Sequence, residues 1–203
     1  MLKDPKMSGV PKTQSWRDWP MREVNIEMKG SVEMIESERG YPWREQLDKK
    51  EGKFLELAGP TKHAENDILD FSKYRDNTIC TNLTSREGID KVVDARATEF
   101  PDDAFQAIFV SSFRIPDEDR KHVLPDPGEP DLENDEQMAE VAKETWRILA
   151  PGGLLVWLRI ENENEFIAIE KAGFIPIYIK DFCYQAHAGR HRYQVVFLKE
   201  AKK

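Results

Sequence analysis

From Lys53 onward the chain is punctuated by short, continuous apolar runs, and this pattern restricts the fold more than any other feature of its 203 residues. The runs are "KFLELA", "TICTNL" (Thr78 to Leu83), "KVVDA" (Lys91 to Ala95), "AIFVSSF" (Ala107 to Phe113), "LLVWLRI" (Leu154 to Ile160), "FIPIYIKDF" and "YQVVFLKE". Runs without polar alternation suit strands covered on both faces of a parallel sheet. Helical segments lie between them, which argues for strand–helix–strand units. The clearest helix is "ENDEQMAEVAKETWRIL", which places Met138, Val141, Ala142, Thr145, Trp146 and Leu149 on one face. Asp131 or Asn134 is placed to cap it. Pro151-Gly152-Gly153 ends it and turns the chain into the fifth strand. A further helix is predicted from Asn162 to Ala172, stopped by Gly173. The last two runs flank "CYQAHAGRHR", whose Gly189 suits a hairpin turn, so the sheet is expected to be mixed.

The first fifty residues read differently. Residues 1 to about 15 are polar and broken by Pro5, Gly9 and Pro11, as in a loosely attached lead. Val32, Met34 and Ile35 suggest part of a helical stripe, and Trp16, Trp19 and Trp43 need something to cover. The expectation is an N-terminal helical arm over 1–50, packed on a domain spanning 51–203 or closing over its ligand site.

Composition excludes several classes. The formal net charge of −8 suggests no dominant basic face of the kind duplex nucleic acid requires, so no such partner is expected, while a local basic patch stays open. No apolar run is long enough to span a membrane, and the amino-terminal stretch lacks the apolar core of a secretory signal. Cys80 and Cys183 are far apart without a CxxC motif, which reads as two reduced thiols in a cytoplasmic protein. His187 and His191 flank a glycine in an expected turn, with no acid-rich partner motif, so no metal site is assigned. The dinucleotide pattern G-x-G-x-x-G and the phosphate loop G-x-x-x-x-G-K-S/T are absent.

Four ordered segments carry a resemblance. They are "FLELAGPT", "VVDARATEFPDDAFQAIFVSSF", "ETWRILAPGGLLVWL" and "EKAGFIPIYIKDF". Together they resemble the class I S-adenosylmethionine-dependent methyltransferases over about three quarters of the chain. That resemblance implies a Rossmann-like, seven-stranded, mostly parallel sheet with helices on both faces and an antiparallel last strand. It implies S-adenosylmethionine as cofactor. It places the cofactor against Glu56, Ala58, Gly59 and Thr61 after the first strand and Asn82 after the second. Asp94 and Ala95 would meet the adenine after the third, with Ser111 near the reactive end.

The chain departs from the family pattern at that first loop. Aligning the family's acid with Glu56 puts Ala58, Pro60 and Lys62 where the family has glycines, with Gly59 between them. Proline lacks an N–H and fixes φ, so "AGPT" is expected to be a rigid turn that narrows the pocket. Asn82 stands where the family carries an acid for the ribose; it can accept and donate but has no charge. After the fourth strand, "SSFRIP" contains neither the Asn/Asp-Pro-Pro-aromatic sequence of amino-group methylation nor a Pro-Cys nucleophile. The implied activity is methyl transfer to a small-molecule acceptor, without a catalytic residue assigned; His122, Tyr184 and His187 are the candidate bases. The alternative is a methyltransferase-like binding or scaffold protein without catalysis. The insertion 114–134, rich in proline and acid, is either a solvated excursion or a substrate-covering loop.

Overall fold

The computed structural model describes residues 21–61, 67–110, 132–160, 163–184 and 190–201. Its strands are β1 (Arg22–Lys29), β2 (Val32–Glu38), β3 (Phe54–Leu57), β4 (Thr78–Asn82), β5 (Lys91–Val92), β6 (Phe105–Val110), β7 (Leu149–Ile160), β8 (Ile175–Tyr184) and β9 (Arg190–Leu198). The helices are α1 (Trp43–Asp48), α2 (Leu132–Ile148) and α3 (Glu163–Lys171), with a 3-10 turn at Phe71–Asn77.

All the described strands form one nine-stranded sheet in the order β1-β2-β8-β9-β7-β6-β3-β4-β5. The pairs β3–β4, β3–β6, β4–β5 and β6–β7 are parallel. The last strand, β9, runs antiparallel to both its neighbours, β7 and β8. This is the mixed α/β sheet expected from the apolar runs, in the Rossmann-like arrangement that the resemblance implies. β3 is interior, between β6 and β4 and third from the β5 edge, and Leu55 and Leu57 are buried.

The sheet has apolar cover on both faces. On one, Leu55, Ile108, Leu155, Trp157 and Val195 pack with Met138 and Val141 of α2 and Phe166 and Ile169 of α3. On the other, Phe54, Phe109, Val156 and Val196 pack with Trp43 and Leu47 of α1 and with Phe71. Phe109 is the hub of this second layer, stacked on Phe71 at 4.6 Å and edge-on to Phe54 at 5.8 Å.

Three expectations are corrected here. The described strands number nine, not seven; four of their eight pairings are antiparallel, so the sheet is not mostly parallel; and the N-terminal arm is not helical over 22–38. Those residues form a β-hairpin that continues the sheet beyond β8, with Met34 opposite Phe182. The reason is legible in hindsight. Val24, Ile26 and Met28 alternate with Glu23, Asn25, Glu27 and Lys29, a period of two. Gly30, at φ 64°, opens the two-residue turn between the paired Lys29 and Val32. The hairpin lies at the opposite edge of the sheet from β5, so 22–38 does not close over the ends of β3–β5. Trp43 is covered, in contact with Tyr178 at 5.4 Å. The boundary expected at residue 50 falls inside one continuous sheet. Trp16 and Trp19 lie outside the described residues.

Glu170 on α3 gives the fold a pH dependence. Its Oε1 is buried without a hydrogen-bond partner, and burial pushes its pKa up to about 7. A carboxyl whose folded pKa is raised holds its proton longer in the folded state. Stability is therefore lost as pH rises from the unfolded value, about 4.3, through 7. Glu170→Gln is expected to raise the melting temperature at about pH 8 and to leave it unchanged at about pH 4. Equal gains at both values would assign the effect to packing instead.

Candidate functional site

The carboxyl ends of β3, β4 and β5 lie side by side, and the residues singled out in the sequence sit there. Glu56 is 4% exposed in β3. A buried carboxylate requires donors, and Glu56 Oε1 accepts the Thr61 backbone N–H at 2.6 Å. The Cys80 thiol also hydrogen-bonds Glu56, and burial together with that carboxylate pushes the thiol pKa up to about 12. Cys80 is thus an inert, protonated neighbour, and both cysteines are free.

Beyond Leu57 the chain turns sharply. Ala58 adopts φ 60°, the left-handed region that glycine favours, and the Gly59–Pro60 peptide is cis. Gly59 serves a different need, room: a Cβ there would lie 2.5 Å from both Cys80 Sγ and Glu56 Cδ. Its N–H donates to Thr81 O at 2.9 Å. Its carbonyl accepts from Asn82 Nδ2 and from the Arg86 guanidinium, each at 2.6 Å. Thr81 Oγ1 returns a bond to Glu56 O at 2.8 Å. "AGPT" is therefore a rigid turn clamped to β4 from both sides. Thr61 is held through its backbone N–H, and its Oγ1 is buried without a partner.

Asn82 closes β4. Besides its bond to Gly59, its Oδ1 accepts the Thr84 N–H at 3.3 Å. Asp94 follows β5, anchored by the Val93 N–H on Asn82 O at 2.9 Å. Its carboxylate takes the Arg96 backbone N–H at 2.9 Å and the Arg96 guanidinium at 2.6 Å. Those bonds hold its carboxyl below the usual range. The pair is a little over one-third exposed on each side, so solvent screening leaves it weak. Ala95 is buried in the core layer under α2 and α3.

Glu56, Ala58, Gly59, Thr61 and Asn82 are thus brought into one bonded cluster, with Asp94 and Ala95 at the neighbouring strand end. Ser111 lies outside the described residues, immediately after β6. His122, His187, the side chains of Tyr184 and His191 and nearly all of the 114–134 insertion are outside them as well. Among the described residues there is no group of His, Cys, Asp and Glu side chains that could hold a metal ion, and no helix is long and apolar enough to cross a membrane.

Sequence reasoning missed two arginines. Arg86 shares the Gly59 carbonyl with Asn82, and nothing in its local sequence marks it. Arg96 had a signal: a donor two residues after an aspartate is the pattern of an Asx turn.

No family model matches the chain, and no curated protein matches it in sequence. Among solved structures it is similar to a SAM-dependent methyltransferase from Methanosarcina mazei, at 10% identity and TM-score 0.48, covering 80% of this chain and 99% of that one. It is similar to the geranyl diphosphate C-methyltransferase of Streptomyces coelicolor, at 9% identity and TM-score 0.49, covering 73% of each chain. A third likeness is to a methyltransferase from Mesorhizobium loti, at 11% identity and TM-score 0.42, covering 77% of this chain and 96% of that one. At these scores the likenesses concern general shape and carry nothing about ligand or activity.

Proposed function

We propose that the chain binds S-adenosylmethionine at the carboxyl ends of β3–β5 and transfers its methyl group to a small-molecule acceptor in the cytoplasm. The observation that carries this reading is the buried Glu56, which fastens a turn that opens with left-handed Ala58 and brings the Gly59 backbone against β4. The residues fit such a cofactor. Thr61 Oγ1 is a buried hydroxyl still lacking a partner. Asn82 uses one N–H on Gly59 and one lone pair on Thr84, which leaves one of each for a ribose diol. Asp94 is held by an exposed, screened ion pair and one backbone N–H, both from Arg96.

In this reading Glu56 orders the turn and presents negative charge to the methionine ammonium. Asn82 orients the ribose. Asp94 accepts the adenine amino group and the Ala95 N–H meets the ring. When bound, the cofactor supplies an electrophilic sulfonium methyl. The chain's contribution is positioning and the exclusion of water, so a dedicated base is not required. Ser111, which follows β6 in the sequence and lies outside the described residues, is the candidate contact at the reactive end.

A second reading rests on a specific observation: Asn82 and Asp94 already have partners within the chain. A scaffold protein that has lost its cofactor would keep such internal bonds.

Calorimetric titration of the full chain with S-adenosylhomocysteine separates the two. The first reading expects micromolar affinity, weakened about 10- to 150-fold by Asp94→Ala, as for the loss of a hydrogen bond to a charged group worth about 1.5–3 kcal/mol. Absence of binding at millimolar ligand supports the scaffold. Equal affinity in wild type and a folded Asp94→Ala removes Asp94 from the adenine.

A further inference from the structure

Where β4 ends, the chain reads "NLTSR", from Asn82 to Arg86. The strand end assigned to a ribose thus carries a neutral amide, two hydroxyl side chains and a guanidinium, with no carboxylate among them. Leu83 to Arg86 are exposed, yet Arg86 has a fixed place. Its Nη2 donates to Gly59 O at 2.6 Å, the same oxygen that accepts Asn82 Nδ2 at 2.6 Å. The guanidinium therefore stands directly beside the Asn82 amide. That bond engages one of its five N–H groups.

The charge on Arg86 is uncompensated. Two other arginines border β4 and β5, and each has its own carboxylate: Arg75 pairs with Asp90 at 3.1 Å and Arg96 with Asp94 at 2.6 Å. Among the described residues Arg86 has no such partner. The neighbouring turn, in contrast, offers an anion nothing. A backbone anion cradle needs N–H groups to spare. Here the Gly59 N–H is engaged by Thr81 O, the Thr61 N–H by Glu56 Oε1, and Pro60 has none. The buried Glu56 carboxylate adds repulsion. Negative charge on a ligand at this end of the sheet is therefore directed away from the turn and toward Arg86.

In Rossmann-like sheets an acid at this strand end accepts a ribose hydroxyl, whereas a nearby arginine accommodates a phosphate carried on that hydroxyl. The planar guanidinium matches phosphate oxygens two at a time. We propose that the end of β4 is a phosphate subsite, in which Arg86, with Thr84 and Ser85 beside it in the loop, takes a monoester borne on the 2′ or 3′ hydroxyl of an adenine nucleoside. This rests on the adenine and ribose half of the reading above and not on methyl transfer. Such a nucleotide and S-adenosylmethionine compete for one site.

The test is calorimetric titration of the full chain, at low salt, with adenosine and with its 2′-, 3′- and 5′-phosphates. The 2′ or the 3′ ester is expected to bind at least about tenfold more tightly than adenosine, the lower end of what a hydrogen bond to a charged group supplies. Which of the two does so names the hydroxyl that carries the phosphate. The 5′ ester, which faces the turn, gains nothing. Added salt shrinks the preference. Arg86→Gln keeps a donor for Gly59 O, removes the charge and is expected to erase the preference. Esters no tighter than adenosine overturn the proposal, and so does an equal gain from the 5′ ester. An Arg86→Gln chain that loses adenosine as strongly as the esters overturns it too, since the guanidinium then only clamps the turn. If that variant fails to fold, the wild-type series still decides. S-adenosylhomocysteine, titrated alongside, separates this inference from the methyl-transfer reading. A chain that prefers the ester and does not bind S-adenosylhomocysteine keeps the inference and loses that reading; binding of S-adenosylhomocysteine without an ester preference does the reverse.

Discussion

Gly59→Ala is expected to lower the unfolding free energy by about 3 kcal/mol, the upper part of the range for forcing a methyl group into a filled interior. The new Cβ would meet Cys80 Sγ and Glu56 Cδ at 2.5 Å and Glu56 Oε1 at 2.7 Å. None of these neighbours moves freely. Cys80 sits in β4 between β3 and β5, and Glu56 is fixed by Thr61. Displacing the turn breaks the Gly59 bonds to Thr81, Asn82 and Arg86 together. Urea denaturation reads the loss as a fall in midpoint at constant slope. Adding Cys80→Ala to the variant is expected to recover part of it, since one of the two clashes disappears. A wild-type midpoint for Gly59→Ala would show that the turn shifts without cost.

Lys199→Met is expected to cost about as much, on the order of 3 kcal/mol. Lys199 is 3% exposed, a rare position for a lysine. Its ammonium donates to Trp146 O at 2.7 Å, to Leu149 O, and to Asp103 Oδ1 at 2.8 Å. The first two are carbonyls at the α2–β7 junction, where the Asp103 N–H also takes Arg147 O at 3.0 Å, so the lysine shares in capping the helix end. Methionine keeps the volume and removes the donors, leaving two carbonyls unsatisfied while Asp103, which is partly exposed, returns to water. Chemical denaturation at constant pH measures the difference. An unchanged midpoint would mean that water replaces all three bonds.

Strands such as β3, β6 and β7 were legible because burial on both faces leaves little besides apolar residues in them, and α2 because its apolar positions keep a helical spacing; β5 is an exposed edge that the run around Val93 marked. The hairpin β1–β2 was not. Its period-two pattern is diluted by surface charge, and the adjacent Met34 and Ile35 imitate a helical stripe. At the site, sequence reasoning treated a glycine as the mark of both a positive φ and a close approach. The chain separates these: Ala58 takes the left-handed turn, while Gly59, with no positive φ, yields the space. Glu56 was readable through the resemblance, which aligns the family's acid with it. Arg86 was not, since its partner is a backbone carbonyl 27 residues away.

The placement of the hairpin has a consequence for how the chain is made. β2 joins the sheet only through β8, whose residues 178–184 lie nearly at the other end of the sequence, and β8 in turn is completed by β9. Synthesis at about 5–20 residues per second separates β2 from its partner by on the order of ten seconds. Through that interval β1 and β2 are at best an isolated hairpin, a marginal structure in water. Met34, buried in the finished sheet, is then as bare as Val24, Ile26 and Met28. Among the described strands, the first pair to leave the ribosome is thus the last to be seated, and a chain interrupted before β8 displays four apolar side chains on an unsupported ribbon.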